Sequence, residues 1–132
     1  MGRRSLVDYL DRYDSLVEVG VGRRPEVAGA LVAAGKAVTA TDVHPRSVPD
    51  GVAFVEDDVV ARAAGTPTPG SLYAVDAVYA RNLPPELHRP ARAVAHAGGA
   101  DFLFPTLGTD QPAVPVERVT LDEGTLYVAR AP

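Results

Sequence analysis

The chain has 132 residues, 46% hydrophobic and 23% charged, which is the balance of an ordered globular protein; residues 1–132 are expected to form a single domain with no separate substrate domain. Thirteen Lys and Arg against seventeen Asp and Glu give a net charge of -4, which argues against nonspecific binding to nucleic acid or to an anionic membrane. The absence of cysteine excludes disulfides, thiolate metal sites and thiol chemistry.

The opening MGRRSLVDYLDRYD carries paired arginines like an export signal, but Asp8, Asp11, Arg12 and Asp14 replace the apolar stretch such a signal needs. Leu6, Val7, Leu10 and Tyr13 instead share one face at helical spacing, which predicts an amphipathic helix. Leu6 also breaks the N-myristoylation pattern, and no run is long and charge-free enough to span a bilayer, so a cytoplasmic protein is expected. SLVEV (15–19) is a short β-prone run ending in glycine. Pro25 and Glu26 then suit a helix start, and the apolar stripe of PEVAGALVAAG stops at Gly35.

AVTATDV (37–43) and VAFVEDD (52–58) are predicted as the second and third strands, and the short, proline-broken connection between them predicts a helix that is missing or reduced to a turn. An Ala-rich helix over roughly 59–65 leads through GTPTPGS to a fourth strand, YAVDAVYA (73–80). PPELHRPARAVAHAGG predicts a helix over about 84–97, with Pro90 early enough to be tolerated. ADFLFP is a fifth strand, with little room for a helix after it, and VERVTLDEGTLYVAR predicts two strands around an Asp-Glu-Gly turn. The alternation gives the fold class: α/β, three-layered and Rossmann-like, a mostly parallel sheet with a C-terminal antiparallel hairpin.

In such a sheet a ligand binds at the carboxyl ends of the strands, where the strand order reverses. Gly20 and Gly22 fall at that place, ahead of a helix N-terminus that offers free N–H groups. Asp42, at the end of the second strand and 22 residues after Gly20, has the spacing of an acceptor for ribose hydroxyls; it equally suits a turn cap before His44-Pro45. Asp58, in the acidic cluster after the third strand, stands where a carboxylate could meet an exocyclic amine of a base, or simply be solvated. A dinucleotide fold asks for a third glycine at position 25, which is Pro25. Glu18-x-Gly20-x-Gly22 fits instead the pattern of S-adenosylmethionine-dependent methyltransferases, with Arg24 in the slot of the last glycine.

The stretches VEVGVGRRPEVA, VTATDVHP and DAVYARNLPPEL together resemble uncharacterised protein family 0146, small archaeal proteins with a trimmed, class I methyltransferase-like Rossmann fold. The resemblance covers essentially the whole chain. It implies a pocket for S-adenosylmethionine or a related adenosyl ligand, with Glu18, Gly20 and Gly22 at the methionine end, Asp42 at the ribose and Asp58 near the adenine; a homodimer or a partner protein would complete a substrate site.

Arg23 and Arg24 oppose the helix dipole, and one of them can offset this by binding an anion such as a carboxylate or phosphate, or by pairing with Glu18, Glu26 or Asp42. By position His44 is a candidate general base, and Asn82, ahead of Pro84-Pro85, a candidate for a substrate amine. His88 and His96 lie eight apart with no completing carboxylate, so no metal is expected. Three functions fit: a minimal methyltransferase, a non-catalytic nucleotide-binding module, and an interaction protein that has lost its cofactor.

Overall fold

The computed structural model describes residues 5–65, 72–81, 83–105 and 111–132. α1 (Leu6–Leu10) begins at Ser5, whose side chain accepts from the Asp8 N–H while the Asp8 carboxylate accepts from the Ser5 N–H, a reciprocal cap. The helix is shorter than the fourteen-residue stretch suggested. Its buried face is Leu6, Tyr9 and Leu10, with Val7 only partly covered. Tyr13 is also buried, past the helix end.

β1 (Ser15–Val19) leads through the glycine turn to α2 (Glu26–Ala33), and β2 (Ala37–Asp42) follows. Residues 43–52 carry no helix and run directly to β3 (Ala53–Glu56), so Asp57 and Asp58 lie beyond the strand. α3 (Val59–Gly65) and β4 (Ala77–Tyr79) come next. The expected fourth strand over 73–80 is therefore cut to its last part. Only Ala77–Tyr79 pair with β1 and β5, while Tyr73, fully buried, donates its hydroxyl to Asp57 Oδ2 at 2.6 Å. The expected helix over 84–97 is split: a 3₁₀ turn (Pro85–Leu87) gives way to α4 (His88–Ala97), with Pro90 inside its first turn. β5 (Asp101–Pro105), β6 (Glu117–Leu121) and β7 (Gly124–Ala129) complete the chain.

The seven strands are ordered β3-β2-β1-β4-β5-β7-β6. β1 to β5 are parallel, and β7 runs antiparallel to both β5 and β6. The chain steps outward from β1 to β3 and then returns to place β4 on the other side of β1. That reversal opens a crevice at the carboxyl ends of β1 and β4.

Alternation along the strands divides the core in two. Leu16, Val38, Ala77, Tyr79, Leu103 and Leu126 pack on one face with α1 and α2. Val17, Val78, Phe102, Phe104 and Tyr127 pack on the other with α4 and Val59 of α3. The result is a three-layer, Rossmann-like α/β fold with a mostly parallel sheet.

Candidate functional site

The turn after β1 is held from the side by β2. Gly20 N–H and Val21 N–H both donate to Thr41 O at 3.0 Å, and Thr41 Oγ1 donates to Glu18 O at 3.1 Å. Gly20 and Gly22 adopt φ of +71° and +59°, which an L side chain rarely takes. A Cβ added at either would meet nothing within 4 Å, so these glycines serve backbone conformation and leave the space above them open. α2 starts after Pro25 with no described side chain capping it, which leaves first-turn N–H groups without a side-chain partner.

Glu18 lies beneath the turn on the α2 face and is fully buried. It sits in register with Tyr79 on β4, which brings the Tyr79 hydroxyl to donate to Glu18 Oε1 at 2.7 Å. Oε2 is buried with no partner among the described residues. Burial pushes the Glu18 carboxyl up to about 7, against the lowering effect of the Tyr79 hydrogen bond and the Arg81 charge. The same burial, with Glu18 alongside, raises the Tyr79 phenol far above its ordinary value.

Asp42 is tied to the same turn. Its Oδ2 accepts from Gly22 N–H at 2.8 Å and its Oδ1 from His44 N–H at 3.0 Å, while Arg46 Nε stands 3.5 Å from Oδ2. Desolvation pushes this carboxyl up, but the His44 and Gly22 hydrogen bonds and the Arg46 charge outweigh it and hold it below the ordinary carboxylate value. Asp42 thus acts as a turn clamp whatever else it binds.

Gly20, Val21, Gly22, Arg23, Arg24, Arg46 and Arg81 line a cavity of about 510 Å³ over the turn. Of the residues singled out from the sequence, Gly20, Gly22, Arg23 and Arg24 line it directly, Asp42 holds the turn from the side, and Glu18 lies buried beneath it. Asp58 does not join them. Its Oδ1 accepts from Val60 N–H at 2.9 Å as the cap of α3, and it lines a separate hollow with Asp57, Ala61, Arg62 and Gly65. His44 is exposed and is not part of the cavity wall; Asn82 lies outside the described residues. His88 is buried and structural: Nδ1 accepts from Ala113 N–H at 3.1 Å, so Nε2 carries the proton toward Leu83 O at 3.3 Å. Among the described residues no three His, Asp or Glu side chains gather as a metal site, and no helix is long and apolar enough to cross a membrane.

Val21 and Arg46 are the cavity residues that the sequence did not single out, although Arg46 falls four residues after Asp42. Arg81 lies in DAVYARNLPPEL, at the strand end where a transferred group was expected, and continues the Ala77, Tyr79 side of β4 two residues past the strand. Arg81 Nη1 donates to Arg24 O at 3.0 Å and pairs with Glu26 Oε1 at 3.2 Å, which fastens the β4 end to the start of α2.

A family model described as Uncharacterised protein family (UPF0146) matches residues 6–131. A UPF0146 protein of Halobacterium salinarum is 48% identical over 122 residues, covering 92% of this chain and 91% of its own length. One of Archaeoglobus fulgidus is 36% identical over 107 residues, covering 80% and 78%. Among solved structures, the Burkholderia thailandensis 1,6-didemethyltoxoflavin-N1-methyltransferase, with bound 1,6-didemethyltoxoflavin and S-adenosylhomocysteine, has a TM-score of 0.54 at 18% identity. That match covers 96% of this chain and 58% of the methyltransferase, so the chain spans a little over half the neighbour's length and the likeness is one of fold.

Proposed function

We propose that this chain, which belongs to the uncharacterised protein family UPF0146, binds S-adenosylmethionine or S-adenosylhomocysteine over the Gly20–Gly22 turn. The observation that carries this reading is Glu18 Oε2, buried without a partner beneath an open, positive-φ glycine turn. Unmet, this buried carboxyl favours its protonated form, and the ammonium of the methionine moiety is a cation that would favour the ionised one and donate to it. Asp42 spends one acceptor site of each oxygen on backbone N–H groups and keeps further lone pairs for ribose hydroxyls. Arg24 offers a fork for the ligand carboxylate. Asp58, engaged as the cap of α3, stays at the periphery.

Bound there, S-adenosylmethionine would supply an electrophilic methyl group on its sulfonium. The chain's own contribution is to bind and orient: Glu18 and Tyr79 set the polarity of the floor, and Asp42 fixes the turn. None of the described residues named in the central cavity wall is a proton acceptor. That favours as second reading a module that binds the adenosyl ligand without chemistry, and restricts methyl transfer to an acceptor that needs no base from this wall.

Calorimetric titration with S-adenosylhomocysteine and S-adenosylmethionine tests binding; no heat with wild type rejects it. Glu18→Gln keeps an acceptor for Tyr79 but removes the acidic partner of the ligand ammonium, and it should weaken binding about tenfold. Unchanged affinity in that variant would remove Glu18 from the site.

A further inference from the structure

The central cavity gathers more positive charge than an adenosyl ligand can use. Arg23, Arg24, Arg46 and Arg81 all line it, four of the twelve arginines of a chain whose net charge is -4. The carboxylates that answer them are the exposed Glu26, 3.2 Å from Arg81 and 4.0 Å from Arg24, and the buried Asp42, 3.5 Å from Arg46. Two cationic charges are left over. S-Adenosylmethionine sets one carboxylate against an ammonium and a sulfonium, so it is a net cation and engages one guanidinium fork at most.

The four arginines differ in how they are held. Arg46 and Arg81 are only 23% and 24% exposed in their side chains and are fixed by Asp42 and by Arg24 O with Glu26. The Arg46 Nε is buried and lacks a hydrogen bond among the described residues. Arg23 and Arg24 are exposed, and Arg23 makes no hydrogen bond or ion pair with any described residue. The cavity also continues on both sides: past Arg24 and Arg81 into a hollow of about 250 Å³ reaching Ser5, and past Arg23 and Arg46 into one of about 430 Å³ reaching Ser47. Like charges crowded into a concave site beside a helix N-terminus raise the local potential, and a dianion relieves it.

We propose that this arginine-lined trough binds a phosphate-bearing small molecule, a phosphate monoester or a diphosphate, with Arg46 and Arg81 as fixed walls and Arg23 as the arm that closes on the anion. Its role as the second substrate, seated beside the adenosyl ligand, rests on the adenosyl reading; the anion subsite does not. A nucleic-acid strand would ask for an extended basic track, whereas these arginines converge on one hollow of an acidic chain.

The test is calorimetric titration with inorganic pyrophosphate, in buffer free of phosphate and sulfate, on wild type, Arg23→Gln, Arg46→Gln, Arg81→Gln and Arg89→Gln. Arg89 is an exposed arginine on α4, on the opposite face of the sheet. Wild type should bind saturably, and each of the three trough variants should weaken binding roughly tenfold or more, the loss of a charge-assisted hydrogen bond. Arg89→Gln should leave it unchanged. Arg23 has no partner to lose among the described residues, so its variant keeps the result readable if another fails to fold. Absence of saturable binding at millimolar pyrophosphate overturns the proposal, as does equal weakening by Arg89→Gln. Tighter binding of a short single-stranded RNA than of pyrophosphate overturns the small-molecule assignment. A parallel titration with S-adenosylhomocysteine separates the two readings: pyrophosphate binding without it sinks the adenosyl ligand alone, and the reverse sinks the anion subsite alone.

Discussion

Glu18 is placed where a carboxyl is at ease only while it keeps its proton. Its value is raised from 4.5 to about 7 by burial, so between those limits the folded protein holds a proton that the unfolded chain releases. The stability it contributes is therefore complete below about pH 4.5 and is lost as pH rises through 7, a change of about 3 kcal/mol at full extent. Urea unfolding of wild type should show falling stability from pH 5 to 8, and Glu18→Gln should flatten that slope; an equal slope in the variant would contradict the assignment. Asp42 has the opposite sign. Its depressed carboxyl stabilises the fold above the ordinary carboxylate value and loses that contribution as pH falls. Asp42→Ala removes the acceptor of two backbone N–H groups and should cost about 1–3 kcal/mol before any ligand is added, so its binding data need to be read beside its melting curve. At this scale the sequence showed which residues are chemically expressive, because Glu18, Gly20, Gly22 and Asp42 keep fixed spacings on consecutive elements. It did not show Tyr79 as the partner of Glu18 or Arg46 as the partner in the trough, because those depend on strand register and on the path of residues 43–52.

The elements carry their own constraints. α4 ends at Gly98, where an added Cβ would run into the carbonyl oxygen of Tyr73. Backbone cannot step aside as a side-chain tip can, so Gly98→Ala should destabilise by about 1–3 kcal/mol, read as a lower denaturation midpoint with native circular dichroism. Ser5→Ala removes one half of the α1 cap and should cost about 1 kcal/mol. β1, α2, β2, α3 and the terminal hairpin were legible as elements because each combines a clear apolar period with a turn or cap residue. β4 was not legible at its true length. YAVDAVYA reads as one strand, but only Ala77–Tyr79 find partners in β1 and β5, and where those neighbours pair is not encoded in this segment's own pattern.

For the molecule as a whole, the order β3-β2-β1-β4-β5-β7-β6 puts β1 and β4 inside and leaves β3 and β6 at the edges. The β3 residues are mostly exposed, whereas those of β1 and β4 are nearly all buried. Native-state hydrogen exchange should be slowest in β1 and β4 and fastest in β3 and β6; equal protection of β3 and β1 would show that the edge is covered in solution. The parallel layout and the hairpin could be foreseen from strand-helix alternation and the Asp-Glu-Gly turn. The insertion of β7 between β5 and β6 could not, since either hairpin strand can satisfy the same local pattern.

Both N–H groups at the start of the glycine turn end on Thr41, and Arg81 reaches the turn from β4. No local segment can therefore form the cavity by itself; β1, β2 and β4 must already lie side by side. In refolding, binding of the proposed adenosyl ligand should return only after these three strands have paired, later than most secondary structure, and its recovery would report completed topology.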